Sequence, residues 1–178
     1  ISVFVNAGTD VAVVGRVVDF TKGDLDRDGD ADGVTSIDTS NTTSIGLDLR
    51  DEVMEARGIL TLSIDDFIHV DGRFTIRRSS AAVMATLSDR TTKEVSVMTF
   101  GGSDVDVFVG AKDRLGLAIE GVSFGLALLK PTAATDSAVY YGLSAAAAEI
   151  SLVGVSGVTL TATNLSVEVN GSSDSNFL

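Results

Sequence analysis

The sequence has no cysteine, a single proline and no tryptophan in 178 residues. Without cysteine, neither disulfide bonds nor thiolate metal sites contribute to the fold. Aromatic residues account for only 6% of the chain, so it lacks the aromatic platforms that sugar-cleaving enzymes usually place against their substrates. The sequence also contains no P-loop, zinc-binding cluster, dinucleotide fingerprint or nucleophile elbow. We therefore expect no enzymatic activity.

Basic residues are scarce as well, with 13 Lys and Arg against 25 Asp and Glu, a formal charge of −12 and a pI near 4.3. Nucleic acids and anionic lipids both require a basic protein surface, so neither is an expected partner. No apolar run approaches the ~18 residues of a membrane span, and the sequence shows no leader of the secretory type. We expect no membrane insertion, and we expect any export signal to lie outside this sequence.

The chain does contain 18 glycines, together with many Val, Thr and Ser residues. This composition is typical of strands packed by small β-branched side chains. Apolar and polar residues also alternate, which is the pattern of a strand with one buried face. Residues 49–58 have apolar positions near helical spacing and are predicted to form a short helix. Strands are predicted at residues 2–5, 11–20, 45–49, 58–64, 67–77, 94–100, 104–110, 115–129, 138–153 and 158–169.

The connections between the predicted strands are short, whereas parallel strands need crossovers of about a dozen residues or more. Residues 110–114 and 130–136 have the composition of hairpin turns. We therefore predict an all-β fold with one module spanning residues 1–178. It is expected to be a mainly antiparallel meander in an elongated sandwich or barrel-like form. A β-solenoid with short corners is the alternative.

The predicted strand at 115–129 changes the parity of its apolar residues. Up to Ile119 these residues have odd numbers, and from Val122 onward they have even numbers. A β-bulge near Gly121 would account for the change. The alternative is a turn at Gly121 that divides the segment into two shorter strands.

An acidic loop, predicted to span residues 22–40, lies between the early strands. Alternating carboxylates that close on a glycine are typical of calcium sites, because calcium takes about six to eight oxygen ligands. Two registers fit, one closing on Gly29 and the other on Gly33, and we prefer the second. The predicted calcium ligands are Asp24, Asp26, Asp28, Asp30, Asp32 and Asp38, with the last four as the principal set.

The loop departs from an EF-hand, because position 12 is Thr35 in one register and Thr39 in the other, in place of the bidentate Glu. The alternative interpretation is a solvated acidic turn, since Asp and Gly are common in turns. Against it, five carboxylates occupy residues 24–32 with only Arg27 among them. They would repel one another without a counter-ion, which favours calcium.

Two resemblances support this interpretation. The stretch DGDADGVTSID, residues 28–38, resembles the calcium loops of thrombospondin type 3 repeats. Segments such as TLSIDDFIHVDGRFTIRR and LGLAIEGVSFGLALL, within residues 58–174, resemble a repeated module of very large secreted or surface proteins of Gram-negative bacteria. The second resemblance implies a β-rich module that is repeated in tandem, has no assigned active site and is accompanied by calcium loops.

Some reactive side chains have two interpretations. His69 precedes Asp71 at strand spacing, which fits either an acid–base pair or, as we prefer, a polar strand face. Asp104 and Asp106 fit a second calcium site or a solvated face. Three arginines form the one basic island, interpreted as an exposed strand face or as a docking site for the acidic loop of an adjacent module: Arg73, Arg77 and Arg78.

These observations predict a structural or adhesive module, or a filament subunit, of a bacterial surface or secreted protein. We expect it to be stabilised by calcium and to contact neighbouring copies or modules of the same protein. The alternative is a calcium-dependent module that binds carbohydrate or another surface polymer, with a surface glycan as the partner.

Overall fold

The computed structural model describes residues 2–7, 17–22, 24–25, 29, 34–65, 67–79, 81–111 and 115–173. These residues form β-strands and no helix, which confirms the predicted all-β fold. No helix capable of crossing a membrane is therefore found among them. The chain divides into two compact units. Unit 1 contains Ile1–Val3, Glu55–Arg78 and Ala82–Leu178, and unit 2 contains Phe4–Met54 and Ser79–Ala81.

The strands belong to two sheets. A large sheet has the order β1-β4-β5-β7-β8-β9-β10, with β6 also paired to β7, and a small sheet consists of β2 and β3. In chain order the strands are β1 (Ser2–Asn6), β2 (Thr35–Asp38), β3 (Ser44–Leu47), β4 (Val53–Ile64), β5 (Ile68–Arg78), β6 (Val83–Thr86), β7 (Thr92–Ala111), β8 (Leu115–Pro131), β9 (Tyr140–Val153) and β10 (Thr161–Ser172).

The strand pairs whose register is described are antiparallel, which confirms the meander and does not fit a solenoid of parallel rungs. The large sheet is open, with β1 and β10 as its two end strands, so the predicted barrel-like form is not observed. Short hairpins connect β7 to β8 and β8 to β9, as predicted, because these links are too short to return the chain in the parallel direction.

Three local predictions were wrong. The predicted helix at 49–58 is not formed, since β4 begins at Val53 and places Glu55 beside Arg77 of β5, 3.9 Å between Oε2 and Nε. Residues 17–20 of the predicted strand 11–20 are outside any strand, and residues 11–16 lie outside the described residues. The predicted strands 94–100 and 104–110 are one continuous strand, β7, because both of its neighbours pair with it on either side of the gap.

In β8, the apolar residues change from odd to even numbers at β-bulges in the β7–β8 pair, which confirms the bulge predicted near Gly121. Glu120 and Gly121 together lie opposite Asp106, since Val105 pairs with Val122 and the next pair is Val107 with Ile119. Gly121 has a left-handed backbone with φ 60°, and Asp106 Oδ1 accepts a hydrogen bond of 2.9 Å from its N–H. The strand β8 runs through this point without dividing.

Two other residues of the sheet share this backbone conformation. Asp104 in β7 and Asn164 in β10 also have left-handed backbone, with φ 50° and 55°. Asp104 lies at a shift in the β7–β8 register, between the pairs Gly102–Phe124 and Val105–Val122. The β9–β10 pair keeps its register across Asn164, since Thr163 pairs with Glu149 and Leu165 with Ala147.

Candidate functional site

The predicted calcium loop lies in unit 2, and the structure describes only part of it. Asp24 and Asp38 are exposed, and Asp38 is the last residue of β2. Asp26, Asp28, Asp30 and Asp32 lie outside the described residues. Within the ranges that the structure does describe, no three His, Asp or Glu side chains form a group that could hold a metal ion.

The two ends of the acidic loop are joined at Phe20. Its carbonyl oxygen accepts hydrogen bonds from Thr35 N at 3.3 Å and from Thr35 Oγ1 at 2.7 Å. The Phe20 N–H in turn donates to Leu49 O at 2.8 Å. The two residues that flank the acidic segment, Phe20 and Thr35, are thus held next to each other.

Side chains next to Phe20 and next to Thr35 make further contacts at the two ends of the loop. Asp19 Oδ1 accepts hydrogen bonds from Thr21 Oγ1 at 2.6 Å and from Thr21 N at 2.9 Å, and these bonds hold the pKa of Asp19 below its usual range. Thr21 itself is buried. At the other end of the loop, Val34 lies so close to Gly46 of β3 that a Cβ at Gly46 would overlap its Cγ1.

Asn6 connects two distant segments of unit 2. Its buried side chain donates through Nδ2 to Val18 O and to Asp51 O, at 3.1 Å each. A buried amide that satisfies two carbonyl groups from distant parts of the chain fixes them relative to one another. The sequence analysis did not identify Asn6, because a single Asn in a strand carries no pattern of its own.

His69 and Asp71 lie on the same face of β5, as predicted, and each binds a different residue of β4. His69 Nδ1 is 3.0 Å from Ser63 Oγ, and Asp71 Oδ2 accepts a hydrogen bond of 2.5 Å from Thr61 Oγ1. The His69 ring is 6.4 Å from that of Phe108, centroid to centroid. The imidazole is therefore oriented by a hydroxyl group, whereas a general base of the triad type is oriented by a carboxylate.

The other acidic and basic candidates are joined to one another. Asp104 Oδ2 lies 3.6 Å from Arg73 Nε, with both side chains mainly exposed. Asp106 is engaged with Gly121, so the two carboxylates that were considered for a second calcium site have separate partners. Arg77 contacts Glu55. Arg73 and Arg77 therefore lie on the polar face of the sheet, whereas Arg78, which is paired with Met98, lies on the opposite face.

The opposite face of the large sheet is apolar. In unit 1, residues that pair across β5, β7, β8, β9 and β10 form rows that run across the sheet. Successive rows alternate between the two faces of the sheet. Two neighbouring apolar rows are Ile76, Phe100, Leu126, Leu143, Val169 and Phe74, Gly102, Phe124, Ala145, Val167. The row between them on the other face is Thr75, Gly101, Gly125, Ser144, Glu168.

The apolar face remains exposed to solvent. Ile76 and Val169 are 39% and 38% exposed, and Val167 is 53% exposed. Among the described residues, the buried hydrophobic core consists of only Val95, Val105 and Ala138. A soluble monomer rarely leaves a contiguous apolar patch larger than a few hundred Å², and such patches usually mark an interaction site.

One ordered contact was missed by the sequence analysis. Lys93 Nζ donates to Asp136 Oδ2 at 2.5 Å and lies 5.4 Å from the centroid of the Tyr140 ring. The hydrogen bond from Lys93, followed by the one from the Ala138 N–H, lowers the pKa of Asp136. The pKa of Lys93 is raised, chiefly by its hydrogen bond to Asp136. This contact ties the β8–β9 loop to β7.

Comparison with protein-family models, with curated proteins and with solved structures finds no match to this chain.

Proposed function

We propose that this chain is a structural module of a secreted or surface protein of a Gram-negative bacterium, and that its role is assembly rather than catalysis. The observation that carries the proposal is the large sheet, which has one polar face and one apolar face exposed over five strands. A sheet needs its apolar face packed to be stable in water. A module that leaves this face open is suited to a protein built from many contacting units.

Calcium is the second part of the proposal. The ligands would be Asp24, Asp26, Asp28, Asp30, Asp32 and Asp38, held in a loop whose ends meet at Phe20. The ion would neutralise the repulsion between the carboxylates and order the loop. Because it would bind the folded form only, it would stabilise that form by about 2.7 kcal/mol at a free concentration of 100 times Kd.

The test is to measure thermal unfolding and particle size with calcium and with excess chelator. We expect calcium to raise the melting temperature and to leave the chain assembled rather than monomeric. The double variant D30A/D32A should lose the calcium-dependent rise, whereas D136A, which removes a carboxylate outside the loop, should retain it. No response of the melting temperature to calcium would remove the ion from the proposal, and a strictly monomeric chain would remove assembly.

The proposed surface or secreted location of the protein is tested separately. An antibody raised against the chain should label intact cells of the organism that makes it, or the culture medium. Labelling that appears only after the cells are permeabilised would contradict a surface or secreted location.

A calcium-dependent binder of surface carbohydrate is the second candidate. It is favoured by a shallow trough of about 600 Å³ on the polar face, where Thr99, Ser144, Glu168 and Asn170 surround backbone at Gly125 and Gly142. A glycan array should then give a signal that is lost in N170A and kept in S166A. An array without calcium-dependent signals would leave only the structural role.

A further inference from the structure

The apolar face of unit 1 has the size of a stable protein interface. Adjacent strands lie about 4.8 Å apart and rise about 3.3 Å per residue, so five strands of about 11 residues cover about 24 Å by 36 Å, or about 900 Å². A stable interface buries about 800 Å² on each partner. One face of this sheet is therefore sufficient for a specific complex.

The residues on this face are suited to packing against another sheet. The two apolar rows through Leu126 and Phe124 contain no charged side chain. At their centre the rings of Phe74 and Phe124 pack together, with centroids 6.3 Å apart. Large aromatic side chains at the centre of an apolar patch are the usual anchors of an interface.

We propose that the apolar face packs against the same face of a second copy of this chain, forming a two-layer sandwich with the polar faces outward. Sheets packed in this way lie about 10 Å apart and interdigitate their inner side chains. A two-fold axis would make the interface isologous, so that identical residues meet near its centre. This inference rests on the proposed assembly function and names the surface and the partner through which assembly occurs.

A second copy is the favoured occupant for two reasons. The area of the face matches what a stable dimer buries. Two copies of the same chain also present faces of equal size and equal apolar character. The charge of −12 also requires the polar, acidic residues of the two copies to point away from each other. Face-to-face packing achieves this, since Glu120, Glu149 and Glu168 all lie on the polar face.

The first test is sedimentation equilibrium of the wild-type chain and two variants of β10. V167D adds a charge to the apolar face at a side chain that is 53% exposed, so the monomer tolerates it. S166D adds the same charge to the neighbouring residue on the polar face. We expect a wild-type dimer, a Kd raised at least about tenfold in V167D, and a Kd changed less than about threefold in S166D.

The second test is chemical cross-linking of single cysteines, which is unambiguous because the chain has no cysteine of its own. L126C lies at the middle strand of the apolar face, and G125C lies beside it on the polar face, where a Cβ meets nothing within 4 Å. A bismaleimide that spans about 10–15 Å, matched to the sheet spacing, should cross-link L126C and not G125C. V169C, which is on the same row and 38% exposed, replaces L126C if that variant does not fold.

Each outcome is decisive. Dimers cross-linked through the apolar face and weakened by V167D support the inference. Oligomers that form without cross-linking at L126C or V169C, or that cross-link at G125C, would overturn it and leave the proposed assembly function intact through another surface, such as the edge of β10. A chain that stays monomeric at high concentration would overturn both.

Discussion

Gly102 and Phe124 lie directly opposite each other in the β7–β8 pair, and the Phe124 ring occupies the space that a side chain at position 102 would need. A Cβ at Gly102 would overlap three atoms of the ring. The ring reaches across the glycine toward Phe74 of β5. The centre of the apolar face therefore depends on a residue that has no side chain.

This relationship predicts that G102A destabilises the protein. The added methyl group must displace the Phe124 ring, and such overpacking typically costs about 1–3 kcal/mol. G125A is the matched control, because a Cβ there meets nothing within 4 Å, and it should be neutral or stabilising by up to about 1 kcal/mol. Urea unfolding monitored by circular dichroism measures both. Equal midpoints for the two variants would contradict the packing at Gly102.

The left-handed backbone of Asn164 in β10, with φ 55°, predicts a specific response to substitution there. A β-branched residue is disfavoured there, so N164V should cost about 1–2 kcal/mol. N164G should be tolerated, because glycine adopts this conformation without strain. T163V, at the neighbouring position paired with Glu149, serves as the control for replacing a polar residue by valine. A stability of N164V equal to that of N164G would contradict a left-handed backbone at this position.

The Lys93–Asp136 contact predicts a dependence of stability on pH. The pKa of Asp136 is lowered in the folded protein from the usual 3.8, so the folded state binds its proton less readily than the unfolded state. The contribution of Asp136 is therefore present above about pH 4 and is lost as pH falls through the lower pKa of the folded state.

The measurement is the urea midpoint of the wild type and of D136N between pH 2 and pH 7, both in the same buffer series. The difference between the two should be largest at neutral pH and should diminish as the pH falls below 3.8. D19N makes a useful comparison, since the pKa of Asp19 is lowered chiefly by its hydrogen bonds from Thr21, with smaller contributions from Lys22 and Arg50. Added salt should reduce the effect of D136N more than that of D19N. A D136N difference that is independent of pH would contradict the assignment.

The closed base of the acidic loop predicts an indirect effect on calcium binding. T35V keeps the shape and the strand preference of Thr35 but removes the hydroxyl that donates to Phe20 O. Loss of one hydrogen bond worth about 0.5–1.5 kcal/mol should weaken calcium binding by about 2- to 10-fold. T75V, an exposed threonine of unit 1, should leave the affinity unchanged. Isothermal titration calorimetry gives both values, and an affinity of T35V equal to that of T75V would show that the loop base does not support the site.

The alternation of residues was sufficient to predict most of the strands, because side chains in a strand point to opposite faces in turn. It was also sufficient to locate the bulge at Gly121, since the apolar residues of β8 change parity there. The left-handed backbone conformations of Asp104 and Asn164 were not predicted, because neither residue type requires them.

The helix predicted at 49–58 shows where local pattern was misleading. Val53 and Met54 fit a helical spacing, yet Glu55 and Arg57 alternate with apolar residues, and Glu55 contacts Arg77 of β5. A short segment contains too few residues to separate the two periods. Pairing with β5, which lies far enough along the chain to be invisible to a local pattern, decides in favour of a strand.

Residue alternation and charge spacing were enough to establish that this protein is all-β and mainly antiparallel, and that it carries a run of alternating carboxylates. Both are local properties, since alternation and charge spacing are read within a few residues. The contact between Phe20 and Thr35, and the exposed apolar face shared by five strands, became evident only from the folded chain. Cross-strand register joins residues that are distant in sequence, and no local pattern specifies which of them will meet.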